Sequence, residues 1–578
     1  MDAPALLLRD PTATARETTD ACDALFGMLG GEHNRAEDDD ARRRAGALGL
    51  GVALARALAR SVRGETGEGA DVEARLAVAG LRLVRQLARD RGQLEPLVLA
   101  GVGEAVLDTM RVFPGTDAEL EGLRALLNLA AAPTNLDALC AQGAHRVVCD
   151  VLRAANDEHA DASDLLTRLG CEVLARLGQS PAAKPLVFAE GGFDAVVDAL
   201  QLHGNLASVT EKALTALAVL SSDDANAERV AERGEVHLLL VQQARLHARD
   251  ARVQEWACRA VCSVSRAPAN RTRLVGASAP QAVADAMRTH APTDDAVAAF
   301  GCAAMRALAH RSSETKLVLV KAYGAAALVV LALKSHPAAL PVAYHGCAAV
   351  WCLAGEADNK PALVQRGADA AVVGALRACP DSPHVAAHAL AALACLANHA
   401  PAKAPLVQQL GAGELVVQAM VRFASSATAV ALHGAAALWS MALLRENKRV
   451  LVEAGAPGAV LDALSLYSGD ARTALKLLGC LVSLTIGVAP ERADEAVARG
   501  AVQVLLVALK RHEAEPAVLE RCVAALANLA SAATDKAQFN AARLNERALD
   551  FKTAFPDRPA MEREVERLLD ALGGEVLV

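Results

Sequence analysis

Two short phrases alternate along the chain, each with its own spacing of apolar positions. The first reads LVLAGVGEAVLDTM, CAQGAHRVVCDVL, FAEGGFDAVVDAL, VAERGEVHLLLVQQ, LVQRGADAAVVGAL, LVQQLGAGELVVQAM, LVEAGAPGAVLDAL and AVARGAVQVLLVAL. Its glycine falls at 101, 143, 191, 234, 324, 367, 411, 455 and 500, with Ser278 in that place in one copy, so the spacings run from 42 to 48 residues. The second phrase lies between these copies: GLRALLNLA, GCEVLARLG, ACRAVCSVS, GCAAMRALA, GCAAVWCLA, ALAALACLA, GAAALWSMA and CVAALANLA. Its apolar residues recur at helical spacing and predict an amphipathic helix. A small residue leads it, at Gly80, Gly122, Gly170, Ala213, Ala257, Gly301, Gly346, Ala389, Gly434 and Cys522, which lets a neighbouring helix come close. One helix, ALKLLGCLVSL, fits less well, with Leu477 in that slot.

Each unit is therefore a short first helix, a glycine turn, a second helix, a loop and a longer third helix. Proline opens the first helix or its approach at Pro133, Pro181, Pro268 and Pro401, where a missing N–H costs little. The turn glycine suits a left-handed cap that a β-carbon would oppose. No such unit can bury its own apolar face, so the units must stack into a solenoid. Eleven third helices are predicted, the first near 71–91 and the last near 515–531. Residues 1–40, which include GGEHNRAEDDD, read as a mobile N-terminal segment, and residues 41–535 as the solenoid. ARRRAGALGLGVALARALARSV reads as one helix completing a partial first unit, with Asp38, Asp39 and Asp40 at the end where its dipole favours anions. Residues 536–578 read as C-terminal capping helices, with Met561, Val565, Leu568, Leu569 and Leu572 on one stripe.

The Gly-Ala turn (Gly143-Ala144, Gly367-Ala368, Gly455-Ala456, Gly500-Ala501) and the third-helix phrase resemble the armadillo-repeat family over roughly residues 65 to 535. The resemblance implies an all-α fold, a right-handed α-solenoid (superhelix) of about 10–11 three-helix repeats. It also implies that third helices line a concave groove where partners lie.

Composition supports that picture. The chain is 53% hydrophobic but only 3% aromatic, which suits close helix packing through small side chains better than a β-sandwich. A formal charge of −8, spread along the chain, argues against a nucleic-acid partner. No apolar run is long enough to span a bilayer. The N-terminus lacks a basic region ahead of its short apolar stretch, so no signal peptide is expected. Thirteen cysteines without a CxxC pair read as reduced core thiols, and the expected location is cytoplasmic or nuclear. P-loop, HExxH and GxSxG motifs are absent, so no catalytic residue, cofactor or metal is assigned.

The groove positions carry the candidate site. The slot that holds Asn in peptide-binding members of the resembled family is here Gln86, Asn128, Arg176, Val219, Ser263, Ala307, Cys352, Cys395, Ser440, Ser483 and Asn528. The slot four residues earlier, Trp in importin-α-like receptors, holds no Trp, which argues against nuclear import. It reads as outward-facing alanine at Ala303, Ala348, Ala391 and Ala436. The slot seven before the Asn position holds Trp256, Phe300, His345, His388 and His433, rings in five successive units. Tyr344, Trp351 and Trp439 adjoin them. Either these rings pack between neighbouring third helices or they form a partner-binding strip. Helix spacing would keep three successive histidines from converging on one zinc ion, but a pH-sensitive contact is conceivable. Arg82, Arg85, Arg89, Arg124, Arg168 and Arg176, with Glu119, Glu121 and Glu172 nearby, are either a solvated face or a receiver for an acidic segment.

The expected function is a non-enzymatic scaffold that binds an extended or helical segment of a protein partner along the groove. The partner and the oligomeric state are left open. Two alternatives stand beside it. One is a sensor regulated by a nucleotide-like metabolite, and the other is a structural subunit of a large cytoskeletal or ciliary assembly.

Overall fold

The computed structural model describes residues 2–31, 38–47, 49–65, 68–115, 117–157, 161–555 and 557–573, and these contain helices and turns but no strand. The chain divides into two compact units, Met1–Ala286 and Met287–Val578. Both are stacks of three-helix repeats, and the fold is an all-α armadillo solenoid. The third helices are labelled in chain order. In the first unit they are α1 (Ala15–Met28), α2 (Ala70–Leu87), α3 (Asp117–Leu129), α4 (Asp161–Leu177), α5 (Ala207–Leu220) and α6 (Ala251–Val264). In the second they are α7 (Asp295–Leu308), α8 (Leu340–Ala354), α9 (Pro383–Leu396), α10 (Thr428–Ala442), α11 (Ala471–Thr485), α12 (Pro516–Ala532) and α13 (Pro559–Ala571). Within each unit every third helix packs on the next.

The small slot of the third helix does what its size suggests. A Cβ on Gly346 would come within 2.6 Å of Leu333, and one on Gly434 within 2.6 Å of Met420, both on the second helix of the same repeat. The missing side chain is the socket for that residue, so the second helix seats directly on the third. The turn slot is left-handed, as at Gly143 (φ 85°) and Gly367 (φ 80°), while Gly234 is not among the positive-φ positions. Ser278 takes the same left-handed geometry (φ 67°), although its β-carbon opposes it. Ser278→Gly should therefore stabilise the chain by about 1 kcal/mol, read as a higher urea midpoint; an unchanged or lower midpoint would refute the strain.

An asparagine ladder, not anticipated from the sequence, joins the repeats at the first helix. Asn135 Nδ2 donates to the Leu129 and Leu94 carbonyls, both at 2.9 Å. Asn359 Nδ2 donates to Lys316 (3.0 Å) and Leu353 (3.2 Å), and Asn447 Nδ2 to Lys403 (2.7 Å) and Met441 (3.2 Å). Each amide joins the end of its own preceding third helix to the first helix of the repeat before. Each buried side-chain amide thereby has its donor hydrogens satisfied by backbone carbonyls of two helices. The sequence signal is an Asn six residues after the third helix's last turn, easily mistaken for an ordinary loop residue.

The repeat pattern runs past both expected ends. Residues 2–31 are not a loose segment. Helix Asp2–Arg9 packs on helix Leu50–Val62 as a second helix would, and α1 packs on α2 as a third helix, burying Ala21, Cys22 and Leu25. Thr14 caps α1 with Glu17 in a reciprocal capping box. Residues 32–37 of the GGEHNRAEDDD stretch lie outside the described residues. The expected single helix after it is two, Asp38–Ala47 and Leu50–Val62, broken at left-handed Gly49 (φ 66°). Asp39 and Asp40 sit in the first turn and pair with Arg42 and Arg44. At the other end, the helices Ala537–Ala541 and Leu544–Ala554 and α13 repeat the three-helix order. Met561, Val565, Leu568 and Leu569 of α13 are buried, and Leu572 follows its last turn half-buried.

Candidate interaction surface

The rings of the second unit meet because one slot recurs on successive third helices one packing distance apart. Phe300 on α7 lies 5.5 Å from His345 on α8, centroid to centroid. Tyr344 stands edge-on to His345 at 4.8 Å and reaches His388 on α9 at 4.6 Å. Trp351, about two helical turns beyond Tyr344 on α8, meets His388 at 5.9 Å and His433 on α10 at 5.2 Å. The edge-to-face geometry is the favoured one for such pairs. The rings thus pack between third helices and keep part of their surface open. Trp351 is the most open, 38% exposed.

The floor differs from the expected trough. Ala303, Ala348 and Ala391 are buried, and only Ala436 is half-buried. A helical wheel places this slot outward on an isolated helix, but here, where successive third helices pack on one another, it is buried. The alanines are seam residues that let third helices approach, and the rings stand above the seam.

Other predicted residues take up packing roles. Asn128 Nδ2 donates to the Arg85 carbonyl of the preceding third helix at 2.9 Å. Buried Asn528 donates to the Val482 carbonyl (3.2 Å) and Thr485 Oγ1 (3.1 Å) and accepts from Arg567 Nη2 (2.6 Å). Gln86 and Cys352 direct the same slot at the Leu29 and Arg306 carbonyls. At these four positions the slot ties one repeat to the one before it. Trp439 packs on Gly479, whose Cβ would lie 3.0 Å from the indole, and Lys476 and Arg521 stand over its ring at 5.5 and 4.8 Å. In the first unit, Trp256 is half-buried beneath the Arg259 guanidinium, 4.4 Å from the ring.

The arginine group is organised around one buried carboxylate. Glu121 on α3 meets Arg124 at 2.9 Å, Arg85 at 3.3 Å and Arg82 at 4.0 Å. Arg85 is itself buried, with the Phe26 ring 5.9 Å away. This part of the predicted basic patch is internally compensated rather than open to an acidic segment. Glu172 pairs with Lys212 at 3.6 Å, and Arg168 and Arg176 are half-buried on α4.

Two of the ladder's histidines are shifted toward their neutral form. Burial, aided by Arg306 and His384, lowers the His388 pKa despite a hydrogen bond to the His384 carbonyl. Burial, then His388 and Arg472, lowers that of His433. A histidine with a depressed native pKa contributes stability that is complete above the unfolded value of about 6.5 and is lost as pH falls below it. The thermal midpoint should therefore drop more in wild type than in His388→Phe/His433→Phe between about pH 7.5 and about pH 5.5. Parallel pH profiles would refute this. Burial also raises the buried thiols, Cys347 to about 12, so they are poor nucleophiles and ligands. Among the described residues no group of three or more His, Cys, Asp or Glu could hold a metal ion, and no single helix is long and apolar enough to cross a membrane.

The family model for the LRRK2 ARM repeat matches residues 286–543. Comparison with curated proteins finds no match. Among solved structures, an engineered protein is 22% identical, with 74% of this chain and 99% of that one covered, at a TM-score of 0.58. A structure from work on a phosphorylation switch controlling the interaction between cadherin and β-catenin is 14% identical, covering 89% and 98%, at a TM-score of 0.60. At these identities both structures speak to the fold alone.

Proposed function

We propose that this chain, an armadillo-repeat protein, is a non-enzymatic scaffold whose partner lays an extended or helical segment along the third helices of the second unit. Interaction scaffolding is the general role of the fold. The observation that supports the finer reading is the continuous ring chain from Phe300 to His433, open at Trp351. Aromatic anchors of this kind supply most of the energy at protein interfaces. The helices beneath, α8, α9 and α10, carry no Asp or Glu, so the strip offers apolar contact rather than charge pairing. A partner would insert aliphatic or aromatic side chains between the rings, on a surface already formed. The cadherin–β-catenin structure is a precedent for a protein partner on this fold.

Crosslinking mass spectrometry from native extract tests the reading. With a diazirine photo-crosslinker, which needs no Lys, Asp or Glu on the strip, crosslinks from a partner should fall on α7 to α10, and Trp351→Ala should remove them. Crosslinks confined to first and second helices would overturn the groove as the site.

A further inference from the structure

A second surface of the same unit combines exposed aliphatic groups with uncompensated positive charge. It is a cavity of about 710 Å3 where α10 and α11 end and the next first helices, Arg445–Glu453 and Pro490–Ala498, begin. Leu443 and Ile486 form its lip, 61% and 51% exposed, in loops where polar residues would cost nothing. Four cations and two carboxylates line it. Arg449 is held by Glu453 at 2.8 Å, and Arg492 by Glu495 at 2.7 Å. Arg445 and Lys448 have no carboxylate partner among the described ion pairs, and only Glu491 opposes them. Lys448 reaches inward and donates to the Ile486 carbonyl at 3.2 Å. Burial and Arg445 both lower its pKa, the signature of a cation that a carboxylate would stabilise.

We infer that this cavity is a docking site for an acidic segment of a partner protein, with a carboxylate on Arg445 and Lys448 and a large aliphatic or aromatic side chain between Leu443 and Ile486. The ring ladder is not part of it, so it stands independently of the function proposed above. Charge complementarity selects the acid, and the exposed aliphatic lip selects the apolar neighbour. A nucleotide fits poorly, since no aromatic residue lines the cavity to stack a base. A membrane surface fits poorly too, since the aliphatic groups border a recess rather than a protrusion.

The test is selection of a random dodecapeptide phage library on the full-length protein, counter-selected on Lys448→Glu/Ile486→Ser. Both substitutions are at solvent-accessible positions, and thermal melting checks that the variant is folded. Enriched peptides should carry Asp or Glu beside Leu, Ile, Met or Phe. By fluorescence anisotropy they should bind about tenfold or more weaker to Arg445→Glu and to Ile486→Ser, and equally to Trp351→Ala. Failure to enrich against the double variant, enrichment of basic peptides, or binding lost in Trp351→Ala but kept in Arg445→Glu would each overturn the inference. So would displacement of the peptide by ATP or inorganic phosphate alone, or flotation with phosphatidylserine vesicles that depends on Leu443 and Ile486. Loss of the ladder's crosslinks with this peptide binding intact would count against the proposed function only.

Discussion

Glu121→Gln should destabilise the first unit by about 3 kcal/mol, the usual cost of breaking a buried ion pair from one side. Glu121 is 4% exposed and Arg85 7%, so neither can turn to water without displacing α2 from α3. Arg82 and Arg124 are more open and can rehydrate, which makes Arg85 the source of the cost. The amide keeps the shape and removes the charge, so a cavity does not confuse the result. A repeat stack need not unfold in one step, so hydrogen exchange is the better readout. Protection should fall most in α2 and α3. The exposed pair Arg499–Asp462 (3.1 Å) is the control, and Asp462→Asn should cost less than about 0.5 kcal/mol. Equal protection in Glu121→Gln and wild type would mean that the carboxylate is not what holds the arginines.

The middle of the stack was legible because two of its constraints each need a particular residue. A left-handed turn selects glycine and a helix socket selects a small side chain, so Gly367 and Gly346 mark every element between them. The ends were legible only in part: the stripe of Met561, Val565, Leu568 and Leu569 marked a capping helix, but helices that meet the same packing without those markers were not recognised as further repeats. α1 begins with a Thr14 capping box, and α13 reads as a charged amphipathic helix, so neither carries the repeated phrase. The rings were found from the slot in which they recur. Their exposure was not, because a helical wheel knows the direction of a side chain but not what stands there. The wheel sent Ala348 outward, where it is buried, and offered Asn528 to a partner when Thr485 and Arg567 already hold it. The cavity beside Lys448 had no sequence signal at all. It arises where four helices from three successive repeats converge.

Trp351→Ala should weaken partner binding by about 2 kcal/mol or more, roughly thirtyfold, while costing the fold far less. Its ring already meets His388 and His433, so it is held in place before a partner arrives and loses little freedom on binding. Of the three tryptophans it is the exposed one, Trp256 and Trp439 being half-buried under Arg259 and under Lys476 and Arg521. A partner seated on the ladder should therefore protect tryptophan emission from acrylamide, and this protection should vanish in Trp351→Ala. Trp351→Phe keeps a ring between the two histidines and should recover part of the affinity. Truncating an element that only spaces the helices would instead lower the thermal midpoint and leave the affinity of the folded fraction alone. A lowered midpoint with undiminished binding would assign Trp351 to packing, and the ladder with it.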